Sequence, residues 1–202
     1  MKLYYAQGAC SLAPHIAARE AGLPIEVETV DLRQKKTAGG EDFAAINPKG
    51  YVPALRLDDG TVLTEAAALL QYLGDKAPAS GLLAAPGSME RYKVIEWLTF
   101  ISSELHKSFG PLWYPKSSEE AKQGAREKIL QRLGFVEKAL EKGDYLMGSR
   151  FTLADAYLFT IVNWSGMTGV DISGLPRLQA YMKRVGARPK VQEALKAEGL
   201  VD

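Results

Sequence analysis

Cysteine is nearly absent from this chain. Cys10 stands alone, which rules out an internal disulfide, and the two histidines, His15 and His106, leave no CxxC pair or histidine cluster from which to build a structural zinc site. An excess of charge is missing as well. The 25 basic and 24 acidic residues are evenly spread and nearly cancel, so there is no electrostatic footprint for nucleic acid and no polybasic membrane patch. No apolar run approaches the ~18 residues that cross a bilayer, and the opening MKLYYAQG is too short in apolar residues for the core of a secretory signal. These absences predict a cytoplasmic chain whose partner is a small molecule or another protein chain. What remains is ordinary: 202 residues, 47% hydrophobic and 24% charged, enough for one large domain or two small ones.

The first part of the chain alternates. KLYYA reads as a strand, SLAPHIAAREAG as a helix with Pro14 in its first turn and Gly22 at its end, and IEVETVD as a second strand with period two. VPALRL and TVLT are two strands joined through Asp58-Asp59-Gly60, a hairpin signal, and EAAALLQYLGD closes the segment as a helix. The order implies an α/β sandwich with one parallel crossover and one hairpin. Residues 77 to 88, APASGLLAAPGS, concentrate Pro, Gly, Ser and Ala and read as a linker. Everything beyond reads helical, about five helices with no convincing strand. The expected division is an α/β domain over 1–77, a linker over 78–88 and an all-α domain over 89–202.

Several short motifs carry chemistry, each beside a blander reading. Cys10 precedes Ser11, a natural N-cap for the helix carrying Pro14. A thiolate there would feel the positive end of the helix dipole, which lowers a thiol's pKa below its free value of roughly 8.5. The alternative is a small apolar filler. Val52-Pro53 lies between a Gly-containing turn and a strand. A cis proline there would leave the Val52 backbone to pair with an extended ligand, whereas a trans turn proline is commoner. Thr64 and Glu65 sit at a strand-to-helix junction, where backbone amides suit a carboxylate and Glu65 an ammonium; as plain structure they are a cap and a first-turn acid.

Tyr92, Glu96, Thr99, Ser103 and His106 follow spacings of 4, 3, 4 and 3, and so share one helix face opposite Val94, Leu98, Ile101 and Leu105. Such a stripe is ordinarily solvated surface, but its C-terminal end lacks long charged residues and could line a cleft. Thr152 to Asp155 resembles a capping box and is read as folding rather than chemistry. His15 and the run Arg33 to Lys36 are read as a core-side helix residue and a solvated loop.

Taken in order, GACSLAPHIAARE, NPKGYVPAL, LTEAAALLQYL, SSELHK and FTLADAYLF resemble a bacterial beta-class glutathione transferase over essentially the whole chain. The resemblance implies a thioredoxin-like domain that binds glutathione, followed by a helical domain holding a hydrophobic electrophile, in a cytoplasmic homodimer engaged in detoxification. It implies glutathione as co-substrate, with no cofactor and no metal. By the same resemblance Cys10 approaches the glutathione sulfur, assisted by Ser11 and His106. Ala9, Val52 and Pro53 meet the peptide, the last in a cis bond, and Lys35 meets the glycyl carboxylate. Glu65 and the N–H of Ala66 take the γ-glutamyl head; a serine is frequent in the family where this chain has Ala66. Thr99, Ser103 and Glu104 complete the glutathione contacts, Thr99 standing where relatives carry asparagine. Phe109, Trp113 and Trp164 would form the electrophile pocket. Tyr4 and Tyr5 receive no catalytic role, Tyr5 being the reserve candidate.

The implied reaction is conjugation. The alternatives are glutathione-dependent thiol transfer through a mixed disulfide on Cys10 and a non-catalytic glutathione-binding or interaction protein on the same scaffold.

Overall fold

The computed structural model describes every residue from Met1 to Asp202 and divides into two compact units. Met1–Ala84 joins Arg188–Asp202 in the first, and Ala85–Ala187 forms the second.

The first unit runs β1 (Lys2–Tyr5), α1 (Leu12–Glu20), β2 (Glu26–Asp31), β3 (Lys36–Thr37), α2 (Phe43–Ile46), β4 (Ala54–Arg56), β5 (Val62–Thr64) and α3 (Ala66–Lys76). Its sheet has the order β3-β2-β1-β4-β5. The crossover through α1 leaves β2 parallel to β1, while β4 and β5 form the antiparallel hairpin. Gly60 makes that hairpin's turn at φ +86°, donating its N–H to the Leu57 carbonyl at 3.0 Å. β3, two residues long, leaves no period in the sequence, which reads Arg33 to Lys36 as a loop.

β1 is central and covered on both faces, as a strand's period of two dictates. Tyr4 lies 6.0 Å from Phe43 of α2 on one face, and Tyr5 6.2 Å from His15 of α1 on the other. Gly22, at φ +66°, stops α1: its N–H reaches the Arg19 carbonyl and that of Leu23 reaches Ala18, closing the orphan carbonyls of the helix end.

The C-terminal helix departs from the expected division, which gave all of 89–202 to the helical domain. Here α10 (Pro189–Ala197) packs against α1 in the first unit. Its apolar face buries Val191, Ala194 and Leu195, and a clasp adds direction: the Arg188 guanidinium donates through Nε and Nη2 to the two carboxylate oxygens of Glu20, each at 2.7 Å. A fork-on-fork pair of this kind fixes direction as well as distance.

The second unit comprises α4 (Met89–Phe100), α5 (Gly110–Trp113), α6 (Glu119–Ala139), α7 (Leu153–Val162), α8 (Trp164–Thr168) and α9 (Pro176–Gly186). Every residue of α7 is buried, the mark of a helix surrounded by others; α4, α8 and α9 pack around it. Asp155 anchors its start. Its carboxylate accepts the N–H and hydroxyl of Thr152 at 2.8 and 2.9 Å, the Leu146 N–H at 2.9 Å and the Tyr181 hydroxyl at 3.2 Å. Burial nevertheless pushes this carboxyl up to about 6, those hydrogen bonds pulling against it.

The first helix of this unit is not the single rod that its spacing predicts. A π-turn at Ile101–Leu105 and a 3-10 turn at His106–Phe109 follow α4. The π-turn holds more residues per turn than an α-helix, so rotation lags and His106 swings from the exposed stripe toward the buried face.

Candidate functional site

The first unit gathers its candidate residues on turns rather than on regular elements. β1 ends at Tyr5 and the chain reverses, the Ala9 N–H reaching the Ala6 carbonyl at 3.0 Å. Ser11 does not cap α1 as its position predicts. Its own backbone is already helical, and its hydroxyl is turned back onto the Ala6 backbone, 3.3 Å from both the N–H and the C=O. The hydroxyl therefore ties the cysteine turn to the end of β1.

A second tie comes from the C-terminus. Glu198, almost wholly buried, accepts the Gly8 N–H at 3.1 Å through one oxygen and meets His15 Nδ1 at 2.9 Å through the other. Gln7 donates to the Gly199 carbonyl at 3.0 Å. Gly8 is required here, because φ is +67° and a Cβ would stand 3.3 Å from the Leu200 side chain.

Cys10, held in this turn, is half-buried, with Sγ donating to the Val52 carbonyl at 3.4 Å. The bond from Val52 to Pro53 is cis. Ala9 and Val52 share one apolar cluster with Tyr4, Phe43 and Ala54. Two segments about forty residues apart in sequence thus meet at the thiol.

Lys35 is exposed on the loop between β2 and β3. Asp31 shapes that loop, accepting the Arg33 and Gln34 N–H groups at 2.8 and 2.9 Å, and the Lys35 ammonium donates to the Gly50 carbonyl at 2.6 Å. Glu65 occupies the N-cap position of α3 with φ 72°, a left-handed conformation that disfavours any side chain. Its carboxylate does not cap the helix. One oxygen accepts the Lys49 ammonium at 2.6 Å and the Tyr51 hydroxyl at 2.7 Å. That bond is the leading reason both groups hold their protons above their ordinary pKa. Ala66, the first residue of α3, is buried.

The candidates of the second unit sit on helix sides. The Thr99 and Ser103 hydroxyls donate to the Ile95 and Thr99 carbonyls at 2.8 and 2.9 Å, so both serve their own helix. Glu104 is paired with Arg132 of α6 at 2.9 Å. His106 Nδ1 lies 2.8 Å from the Tyr157 hydroxyl, and its ring meets Trp164 edge-on with centroids 5.0 Å apart. Trp164 is the hub of the aromatic group, 5.5 Å from Phe109 and 5.8 Å from Trp113. Phe109 is buried and Trp113 half exposed.

Sequence reasoning missed Lys49, Tyr51, Tyr157 and Glu198. The first two lie inside the quoted NPKGYVPAL turn and Tyr157 inside FTLADAYLF, where their partners gave no local signal. Glu198 is 190 residues from Gly8, beyond any periodicity. Tyr5 packs against His15, and the buried Tyr4 hydroxyl finds no hydrogen-bond partner.

Residues 8–76 match the family model of the glutathione S-transferase N-terminal domain, and residues 95–189 that of the C-terminal domain. The chain belongs to the glutathione S-transferase family. It is 50% identical to glutathione S-transferase GstA of Escherichia coli O157:H7, covering 99% of this chain and 100% of that one. A sphingomonad glutathione S-transferase solved in complex with glutathione superposes with a TM-score of 0.96 at 48% identity, covering both chains fully. A bacterial beta-class glutathione S-transferase of Sphingomonas chungbukensis does so with a TM-score of 0.96 at 47% identity, again over both chains. Family membership gives the chain a thioredoxin-like N-terminal domain, matched over 8–76, and a helical C-terminal domain, matched over 95–189. No helix is long and apolar enough to cross a membrane.

Proposed function

We propose that this transferase joins the thiol of glutathione to hydrophobic electrophiles, with Cys10 and His106 serving the sulfur and Ser11, its buried hydroxyl held on the Ala6 backbone, assisting by fixing the cysteine turn. The observation that carries this reading is the thiol of Cys10 at the start of α1, 3.4 Å from the Val52 carbonyl. A thiol-bearing peptide paired in extended form with the Val52 backbone would bring its own sulfur beside Cys10. Lys35 would then meet the glycyl carboxylate, Pro53 and Ala9 would flank the peptide, and Glu65 with the Ala66 N–H would take the γ-glutamyl head. Thr99, Ser103 and Glu104 would add further glutathione contacts only by exchanging their present partners, the Ile95 and Thr99 carbonyls and Arg132, and Phe109, Trp113 and Trp164 would form the electrophile's surface.

In the reaction the glutathione thiol releases its proton to bulk water and is held as thiolate by hydrogen bonds and the positive potential of the helix start. Its electron pair forms a bond to the electrophilic carbon, and the leaving group departs with the bonding pair. Positioning the two reactants removes much of the entropic barrier. Glutathione is consumed as co-substrate and no further cofactor is needed. The test is spectrophotometric: turnover of an aryl halide with glutathione is expected, and absence of both turnover and retention on immobilised glutathione overturns the reading.

A second reading rests on the same thiol. The Cys10 thiolate would attack a glutathione mixed disulfide, releasing the other thiol and leaving Cys10 joined to glutathione; a second glutathione would then free Cys10 as glutathione disulfide forms. A reducible adduct of one glutathione by intact mass supports it, and undiminished disulfide reduction by Cys10→Ala counts against it.

A cytoplasmic homodimer completes the proposal. The cluster of Trp97, Phe100 and Phe135 on α4 and α6, with centroids 5.4 to 5.8 Å apart and Phe135 exposed, supports assembly. Sedimentation equilibrium giving a monomer at micromolar concentration would refute it.

A further inference from the structure

The carboxylate assigned above to the ligand's ammonium already holds an ammonium of the chain's own. Its geometry is built by the loop before it. Asn47, almost wholly buried, accepts the Lys49 N–H through Oδ1 at 3.1 Å, donates through Nδ2 to the Tyr51 carbonyl at 2.7 Å, and accepts the Gly50 N–H on its backbone oxygen at 2.8 Å. Gly50 turns the loop at φ +70°. So tied, the loop sends Lys49 and Tyr51 onto one oxygen of Glu65, at 2.6 and 2.7 Å, and Lys49 also donates to the Thr64 hydroxyl at 3.0 Å. The cluster is open to solvent, the Lys49 and Glu65 side chains being 48% and 53% exposed.

The two donors differ chemically. Lys49 brings a full positive charge, the same group that the ligand would present, on a long flexible stem. Tyr51 brings a neutral hydroxyl on a short rigid one, which satisfies one lone pair without neutralising the carboxylate. An exposed ion pair of this type is weak and exchangeable.

We propose that Lys49 is an internal competitor for the head-group subsite, displaced when the ligand's ammonium arrives, and that Tyr51 is a positioning residue holding the Glu65 carboxylate in place throughout. The proposal rests on the reading that Glu65 takes the γ-glutamyl ammonium. It makes a prediction opposite in sign to general electrostatics: glutathione is a net anion at neutral pH, so loss of a nearby lysine should weaken binding, whereas loss of a competitor should tighten it.

Calorimetry with glutathione and its des-amino analogue, in which hydrogen replaces the ammonium, separates the two. Lys49→Met is expected to bind glutathione about two- to fivefold tighter, the range of one exposed ion pair, and to bind the des-amino analogue no tighter than the parent. Tyr51→Phe is expected to raise the KM for glutathione about three- to tenfold while kcat holds, since a hydrogen bond to a charged group is lost from ligand binding alone. Weaker or unchanged glutathione binding by Lys49→Met overturns the competitor role, and a fall in kcat without a change in KM for Tyr51→Phe overturns the positioning role. Glu65→Gln separates the layers: if it leaves glutathione affinity unchanged the head-group reading itself fails, and if it weakens binding while the Lys49 variant does not tighten it, this proposal alone fails.

Discussion

The two units place their candidate residues by different physics. In the thioredoxin-like unit the residues sit on turns, and backbone hydrogen bonds and left-handed conformations aim them: Gly8 and Gly50 at φ +67° and +70°, Lys35 and Glu65 at 55° and 72°. In the helical unit they sit on helix flanks, and packing aims them: His106 between Tyr157 and Trp164, with Trp164 against Phe109 and Trp113. At Lys35 and Glu65 the first arrangement separates the candidate contacts from stability, because these exposed side chains can be changed without opening the core. The second couples them at Phe109 and Trp164, because these candidate side chains are themselves buried.

The largest expected effect lies in the helical unit. Trp164→Ala should cost about 3–5 kcal/mol, the usual range for a buried aromatic reduced to alanine, with turnover of an aryl halide falling alongside. Urea titration and a kinetic assay on the same sample check it, and lost turnover at unchanged stability would break the comparison.

Next is the pH dependence of Asp155. Its carboxyl stands at about 6 in the fold against an ordinary 3.8, so the folded chain binds the proton more tightly than the unfolded one. The stability this contributes is complete below the unfolded value and is lost as pH rises through about 6. The stability gap between the parent and Asp155→Asn should therefore be widest near pH 4 and shrink by up to about 3 kcal/mol by pH 7.5. A gap that widens over that interval would contradict it.

Glu198 is the exception inside the first unit, a buried side chain that serves a turn. Glu198→Ala leaves Gly8 and His15 without their buried partner and should cost about 2 kcal/mol, whereas Glu198→Gln, keeping one carbonyl oxygen, should recover part of it. If both variants match the parent, the C-terminal tie contributes nothing.

The smallest stability effect is expected at Glu65. Glu65→Gly relieves the left-handed backbone while adding unfolded entropy, so stability should stay within about 1 kcal/mol of the parent. The KM for glutathione should meanwhile rise about tenfold, as befits a lost charged contact. A large loss of stability would place Glu65 with the core residues instead.

How far each feature was legible follows the same division. KLYYA, SLAPHIAAREAG and the Asp58-Asp59-Gly60 turn announce themselves locally, because strand alternation, helix ends and turn residues act over a few positions. Thr152 and Asp155 were read as a helix start for the same reason. The residue type of Ser11 suits a cap, while its partner is Ala6, across the turn. The polar stripe from Tyr92 was drawn on a regular helix, and the π-turn that rotates His106 has no sequence period.

The sequence by itself determined the family and most of the first unit's element order, β3 excepted, through motifs whose order is as informative as their content. Only the tertiary structure decided that α10 returns to the first unit, that Glu198 ties the cysteine turn, and that Lys49 and Tyr51 share one oxygen of Glu65. Each of these joins residues that are far apart in the chain or depends on where a long side chain turns. Propensity and periodicity are sums over neighbours in sequence; hydrogen bonds and ion pairs depend on neighbours in space.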